Sequence, residues 1–359
     1  MNKRALGLLV ALCILLVSLQ LTAFAAEVPA KPEVVILATG GTIAGAGVTN
    51  TTTVGYTSAV TAVDKLIANV PELAKVANVR GEQISQIGSE SMTMEIWLKL
   101  AKRVNQLLAR GDVDGVVITH GTDTLEETAY FLNLVVKSDK PVVLVGSMRP
   151  GTAMSADGPL NLYRAVILAG NKAAVGKGVL VMLNDTINAG RDVTKTITDR
   201  VETFRAPDLG ALGLFTGDQP VFYRQPLRKH TAASEFDVMS LTSLPRVDIV
   251  YHYAGNEGTM IEAAVKAGAR GIVHAGTGNG SIGKAEYPAI EKALDQGVVV
   301  VRSSRVGGGI IARNGEADDD QYGFVASDSL NPQKARILLM LALTRTTDVD
   351  EIQRMFWTY

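Results

Sequence analysis

Gly115-Val116-Val117-Ile118-Thr119 runs directly into His120-Gly121-Thr122-Asp123-Thr124, and Leu125 then opens a stretch whose apolar residues recur at helical spacing through Val136. Consecutive β-branched aliphatics without polar alternation describe a strand with no solvent face, which is what a parallel sheet covered by helices on both sides requires. The same strand, turn and helix pattern recurs. Further strands are expected at Glu33 to Ala38, Pro141 to Gly146 and Gly178 to Asn184, and another helix at Met94 to Leu108. The alternation predicts an α/β fold: a larger N-terminal domain, residues 26–222, built as three α/β/α layers on a mostly parallel sheet.

The rhythm breaks after Phe215 to Gln219. A polar stretch follows with Arg224-Gln225-Pro226, Lys229-His230 and Ser243-Leu244-Pro245, and residues 223–245 read as a linker. The α/β pattern then resumes over 246–359, with strands at Val247 to Tyr253, Gly271 to Ala275 and Val298 to Arg302, which predicts a second, smaller α/β domain. At the other end, Lys3 and Arg4 precede an uncharged apolar run from Ala5 to Leu21 that closes on Ala23-Phe24-Ala25. Residues 1–25 thus have the form of a secretory signal cleaved after Ala25, which predicts a periplasmic or secreted protein; an uncleaved membrane anchor is the alternative.

Composition excludes several classes. The net charge is −1 with no block of basic residues, so neither a nucleic-acid groove nor an anionic membrane surface is expected as partner, and a small polar substrate fits better. The single cysteine, Cys13, lies inside the signal, where the preceding Leu12 is too bulky for a typical lipid-attachment site. A mature chain without thiols has no disulfide, no thiolate zinc site and no cysteine nucleophile. His120, His230, His252 and His274 form no HExxH or other closely spaced pair, so no metal and no organic cofactor are expected.

In a parallel sheet the loops leaving the carboxyl ends of the strands gather along one edge, and ligands bind there. The first exit is Thr39-Gly40-Gly41-Thr42-Ile43-Ala44-Gly45, where paired glycines allow a sharp turn and close backbone approach while Thr42 offers a hydroxyl. No GKS, GKT or GxGxxG marks a nucleotide cradle at this exit. The second exit holds Thr122 and Asp123 just ahead of a helix. There Thr124-Leu125-Glu126-Glu127 has the form of a capping box, exposed N–H groups suit a carboxylate or an oxyanion, and Asp123 suits an ammonium. Further exits carry Ser147-Met148-Arg149-Pro150 and the segment Asp185 through Lys195. Lys195, if held near a hydroxyl, has the chemistry of a proton acceptor. Each of these readings competes with a plainer one: a tight turn with a structural threonine, a simple helix cap, a solvated lysine.

Taken together, Ala38-Thr39-Gly40-Gly41-Thr42-Ile43-Ala44-Gly45, Ile118-Thr119-His120-Gly121-Thr122-Asp123-Thr124, Gly190-Arg191-Asp192-Val193-Thr194-Lys195 and Val301-Arg302-Ser303-Ser304-Arg305-Val306 closely resemble the bacterial type II L-asparaginases, including the glutaminase-asparaginases, over essentially the whole mature chain. The resemblance implies that Thr42, beside Gly41 in the substrate loop, is the nucleophile and that Tyr56, in a mobile flap, activates or orients it. Thr122, Asp123 and Lys195 match a second catalytic group, in which Asp123 also holds the substrate amino group. Ser89 matches the residue that binds the α-carboxylate. Glu90 stands where some members carry glutamine, a difference that in the family accompanies broader use of L-glutamine. Asn279 and Glu316 match residues lent by a neighbouring subunit, since the family builds its sites between subunits of a homotetramer made of two dimers. Some relatives join a cysteine pair that is absent here, Ser138 standing at one of the two places. A periplasmic solute-binding protein, also exported, two-domain and α/β, is the competing reading.

Overall fold

The computed structural model describes Asn2 and residues 30–359, and the fold is carried by Pro32–Tyr359. The signal-peptide reading lies outside the described residues. Eight strands form the larger sheet: β1 Glu33–Gly40, β2 Asn78–Ile87, β3 Gly115–Thr119, β4 Val142–Val145, β5 Val179–Leu183, β6 Thr186–Ala189, β9 Gly213–Thr216 and β10 Gln219–Phe222, while β7 Thr194–Lys195 and β8 Phe204–Arg205 pair separately. Their order is β10-β9-β6-β5-β4-β3-β1-β2, with the five strands from β2 to β5 parallel and the other three antiparallel.

The expected absence of a polar face holds. Every residue of β3, β4 and β5 is buried, and β1 alternates Val35 and Leu37 toward one layer with Val34, Ile36 and Ala38 toward the other. Helix α1 Val63–Ala68, α2 Leu73–Val76 and α5 Gly158–Ala169 cover one side. On the other lie α3 Met94–Leu108 and α4 Leu125–Val135, where Trp97 stacks on Phe131 at 5.2 Å.

The smaller half is a parallel four-stranded sheet, β11 Val247–Tyr251, β12 Gly271–Gly276, β13 Val299–Ser304 and β14 Val325–Ala326. Helix α6 Thr259–Lys266 and α7 Tyr287–Asp295 cover its outer face. Beyond a short α8, Asp319–Tyr322, come α9 Pro332–Ala342 and α10 Val349–Thr358. Val273, Val299 and Val301 share one apolar cluster with α9 and with α4 of the larger half, so the two halves are bonded through a common hydrophobic layer. Between them, 223–245 contains no strand but buries Phe236, whose ring lies 5.1 Å from that of Tyr359.

Three local expectations are corrected. The segment from Asp185 through Lys195 is not a plain loop, because Asn184 and Asp185, both at positive φ, turn the chain into the antiparallel strand β6. The break at Phe215 to Gln219 is a hairpin, β9 to β10, turning at Gly217, whose φ is +59°. The strand β2 was not foreseen, because as an edge strand it is half-exposed along most of its length and carries Arg80, Glu82 and Gln83 in place of an apolar run.

Candidate active site

The ends of β1, β2 and β3 meet at one edge, and glycine makes the meeting possible. Gly40 pairs with Ile87 across the end of β1 and β2, and the Gly41 N–H donates to the Ile87 carbonyl at 2.9 Å. Gly41 has φ +82°, and a β-carbon there would lie 2.2 Å from Gly121 Cα. The chain then enters a single 3-10 turn, Thr42–Ala44, which leaves Thr42 buried with its hydroxyl facing the cavity.

Beyond Gly45 the chain loops out and returns through an antiparallel bridge, Ala46 to Thr57. The returning arm brings the Tyr56 hydroxyl to 2.6 Å from Thr42 Oγ1. The loop rests on the 150–154 segment through Gly47 N to Thr152 Oγ1 at 2.8 Å and Met154 N to the Asn50 carbonyl at 2.7 Å.

The exit of β3 supplies a second group. Lys195 Nζ, reaching across from β7, donates to Thr122 Oγ1 at 3.0 Å and to Asp123 Oδ1 at 2.6 Å. The Asp123 carboxylate is more than half exposed, so one oxygen pairs with the lysine while the group remains open to the cavity. Ser89, in the 3-10 turn after β2, ties the two loops: its hydroxyl accepts from Asp123 N at 3.1 Å and its carbonyl accepts from Thr124 Oγ1 at 2.8 Å.

That last bond corrects the capping-box expectation. Thr124 spends its hydroxyl on Ser89 and makes no cap to its own helix. Glu126 turns away from the helix start, and its carboxylate accepts from Thr194 Oγ1 at 2.6 Å, Lys195 N at 2.7 Å and Asn331 Nδ2 at 2.9 Å. Glu126 therefore sets the position of the lysine strand. Sequence reading missed it because the cap pattern absorbed it, and no local spacing marks its partners Thr194, Lys195 and Asn331.

His120 supports the same loop. Its Nδ1–H donates to the Gly121 carbonyl at 2.7 Å, its Nε2 accepts from the Thr128 hydroxyl at 2.9 Å, and Thr128 accepts in turn from Trp97 Nε1 at 2.8 Å. Complete burial pushes the imidazole pKa down to about 4, so the ring is neutral at physiological pH.

Thr42, Tyr56, Ser89, Glu90, Thr122, Asp123 and Lys195 thus line one cavity of about 770 Å³, together with Gly41. Ser58, Thr198 and Asp199 also line it and were not anticipated. Asn279 and Glu316 do not. Both belong to the smaller half, where Asn279 Nδ2 donates to the Ile310 carbonyl at 2.6 Å and Glu316 accepts from Ser281 Oγ at 3.4 Å. One expectation about histidines also changes: His252 and His274, far apart in sequence, converge on Glu286.

Comparison with known proteins identifies the family. The family model described as asparaginase, N-terminal matches residues 33–228, and that described as glutaminase/asparaginase C-terminal domain matches 246–356. The chain belongs to the asparaginase family. It is 54% identical to the glutaminase-asparaginase of Pseudomonas fluorescens biotype A over 349 residues, 96% of each chain. It is 52% identical to the probable periplasmic L-asparaginase of Haemophilus influenzae over 325 residues, 90% of this chain and 92% of that one. Among solved structures, the probable cytoplasmic L-asparaginase of Campylobacter jejuni superposes with a TM-score of 0.89 at 50% identity, covering 92% of this chain and all of the other.

Proposed function

We propose that this asparaginase-family enzyme hydrolyses the side-chain amide of L-asparagine to L-aspartate and ammonia, and that of L-glutamine to L-glutamate, through an ester on Thr42. The supporting observation is the pair of hydroxyl groups around one cavity, each with its own proton partner: Thr42 with Tyr56 at 2.6 Å, and Thr122 with Lys195 at 3.0 Å. A binding protein needs neither pair.

In this reading the substrate α-carboxylate sits at Ser89 and its ammonium at the open face of Asp123, which leaves the amide carbon at Thr42. Thr42 Oγ1 attacks that carbon as its proton is relayed through the Tyr56 hydroxyl, which gives up its own proton toward the leaving nitrogen, and backbone N–H groups of the converging loops hold the oxyanion. The C–N bond breaks, the nitrogen gains a proton and leaves as ammonia, and water then cleaves the ester to restore the threonine. Lys195 and Asp123 keep Thr122 in a polar network beside the reacting carbon, suited to moving a proton in either step. No step calls for a metal or an organic cofactor.

Replacing Thr42 by alanine is expected to abolish ammonia release while leaving binding of L-asparagine largely intact; near-unchanged turnover would reject the assignment. An ammonia assay on the unaltered chain also separates this reading from the solute-binding alternative, because a pure binder releases none. Glu90 at the cavity wall supports appreciable use of L-glutamine, and a kcat/KM for L-glutamine at background would refute that part. The signal-like N-terminus supports export to the periplasm or beyond, with cleavage after Ala25. The position of Asn279 and Glu316 outside the cavity of their own chain supports a site completed by a second subunit of a homotetramer.

A further inference from the structure

We infer that the smaller half holds a second, non-catalytic site: a transition-metal cation of the zinc class binds to His252, His274 and Glu286. The three come from different elements, His252 from the exit of β11, His274 from within β12 and Glu286 from the residue preceding α7. Their ligand atoms all lie within 4.8 Å of one another. None of them lines the cavity around Thr42.

The donor set has the right chemistry. Two imidazole nitrogens and one carboxylate oxygen suit Zn²⁺, Co²⁺ or Ni²⁺ and are too nitrogen-rich for Ca²⁺ or Mg²⁺. The carboxylate already sits between the rings, with Oε2 at 2.5 Å from His252 Nδ1 and Oε1 at 3.1 Å from His274 Nε2. It is also oriented from outside, by Asn256 Nδ2 at 2.5 Å and Gly283 N at 2.9 Å, which is the outer-shell support that bound carboxylates have. Without an ion, a proton on each histidine nitrogen bridges to Glu286. With an ion, those two nitrogens become ligands and their protons move to the far side of each ring.

The tautomer change costs little. His274 Nδ1 has no hydrogen-bond partner, so a proton moved there breaks no bond beyond the one to Glu286. The His252 side chain is 14% exposed, which lets water meet its other nitrogen and gives the ion a way in and a fourth ligand. Binding requires the nitrogen–oxygen separations to widen to roughly 3.3 Å, the spacing of ligands at about 2.0–2.1 Å around a tetrahedral ion. His252 is the only partly exposed ligand of the three and so the one to shift, and glycine at 283 leaves its ring the space it occupies.

The consequence is local rigidity. His274 and Glu286 bracket the segment 277–285, which carries Asn279, and His252 ties them to the exit of β11, so an ion there clips both ends of that loop to the sheet.

The test uses the full chain stripped with EDTA and titrated with Co²⁺, read by visible absorbance, and separately with Zn²⁺, read by calorimetry and thermal unfolding. One Co²⁺ per chain with the absorbance of a four-coordinate ion and a rise in Tm with Zn²⁺ are expected. His252→Asn and Glu286→Gln should each weaken Co²⁺ binding by at least about tenfold, the scale of loss that even outer-shell changes produce. The first change lies at a partly exposed position and the second keeps an amide in the carboxylate's place, so a folding failure in one leaves the other to decide. Absence of a Co²⁺ band at millimolar Co²⁺, or variants that bind as tightly as the unaltered chain, would overturn the site.

Discussion

Gly41 and Gly121 approach so closely that a β-carbon on Gly41 would lie 2.2 Å from the Gly121 α-carbon and 2.3 Å from its nitrogen. This contact presses the exit of β1 against the exit of β3 and so fixes how far the Thr42 hydroxyl stands from the Thr122 hydroxyl. Backbone atoms on both sides of the contact leave no flexible group to yield.

Gly41→Ala should therefore damage folding and activity together. Positive φ and overpacking each cost one to a few kcal/mol, so a loss of stability on the order of 3–5 kcal/mol is expected. Urea unfolding gives that number, and the residual folded fraction should show turnover reduced by far more than its population. A variant with unchanged midpoint and rate would mean the loops are free to separate.

Glu126 makes a sharper test of preorganisation, because it touches the lysine strand and does not line the cavity. Glutamine at this position keeps the shape, but with its oxygen on Thr194 Oγ1 and Lys195 N its NH2 faces the Asn331 NH2, and turned over it faces the Lys195 N–H, so in either orientation one donor meets another. Small displacements of catalytic groups cost rate more than affinity, and about 10²-fold in kcat for a shift near 1 Å is the relevant scale. Glu126→Gln is expected to lower kcat by one to two orders of magnitude with KM nearly unchanged. A kcat within a factor of about two would show that Lys195 is held by other contacts.

One residue over on the same helix, Glu127 is mostly buried beside Arg336 at 4.0 Å, and this desolvation pushes its pKa up to about 7, the nearby guanidinium only partly opposing it. The folded state then holds this proton more tightly than the unfolded chain, whose glutamate titrates near 4.5. Its contribution to stability is fully present below pH 4.5 and is lost as pH rises through 7, amounting to about 3 kcal/mol over that window. Because Glu127→Gln leaves Arg336 without its partner, the absolute stability is not the readout. The readout is the slope: unfolding free energy measured between pH 5 and 8 should fall less steeply in the variant. Parallel profiles would remove Glu127 as the source.

What sequence could and could not disclose follows from how each residue signals itself. Val116 to Thr119 and Met94 to Leu108 were legible because their spacing encodes burial directly, and Thr42 and Thr122 stood out because they follow buried strands at the edge where ligands bind, whereas Lys195, lying in β7 beyond the antiparallel β6, stood out only through the constellation and the family resemblance. Strand β2 was not, since its hydrogen bonds to β1 place it in the sheet while half-exposed polar side chains hide it. Glu126 and the pairing of His252 with His274 were invisible for another reason. Their partners lie on elements brought together only by the fold, and no local spacing records such contacts.

The same limit applies across subunits, and it gives the last prediction. Glu316 and Asn279 sit outside the cavity formed by their own chain, yet the cavity around Asp123 is open, with room for an acidic group from elsewhere. If Glu316 of the partner subunit completes it, Thr42→Ala and Glu316→Ala remove activity from the same composite site but from different chains. Each variant alone should be nearly inactive. Mixed in equal amounts, dissociated in mild denaturant and reassembled, they form hybrid dimers in which one of two sites carries an intact Thr42 and an intact Glu316. Random pairing restores about a quarter of the sites. Recovery of ammonia release toward that fraction would establish sharing between chains, whereas a mixture no more active than its components, or a fully active Glu316→Ala, would place the whole site within a single chain.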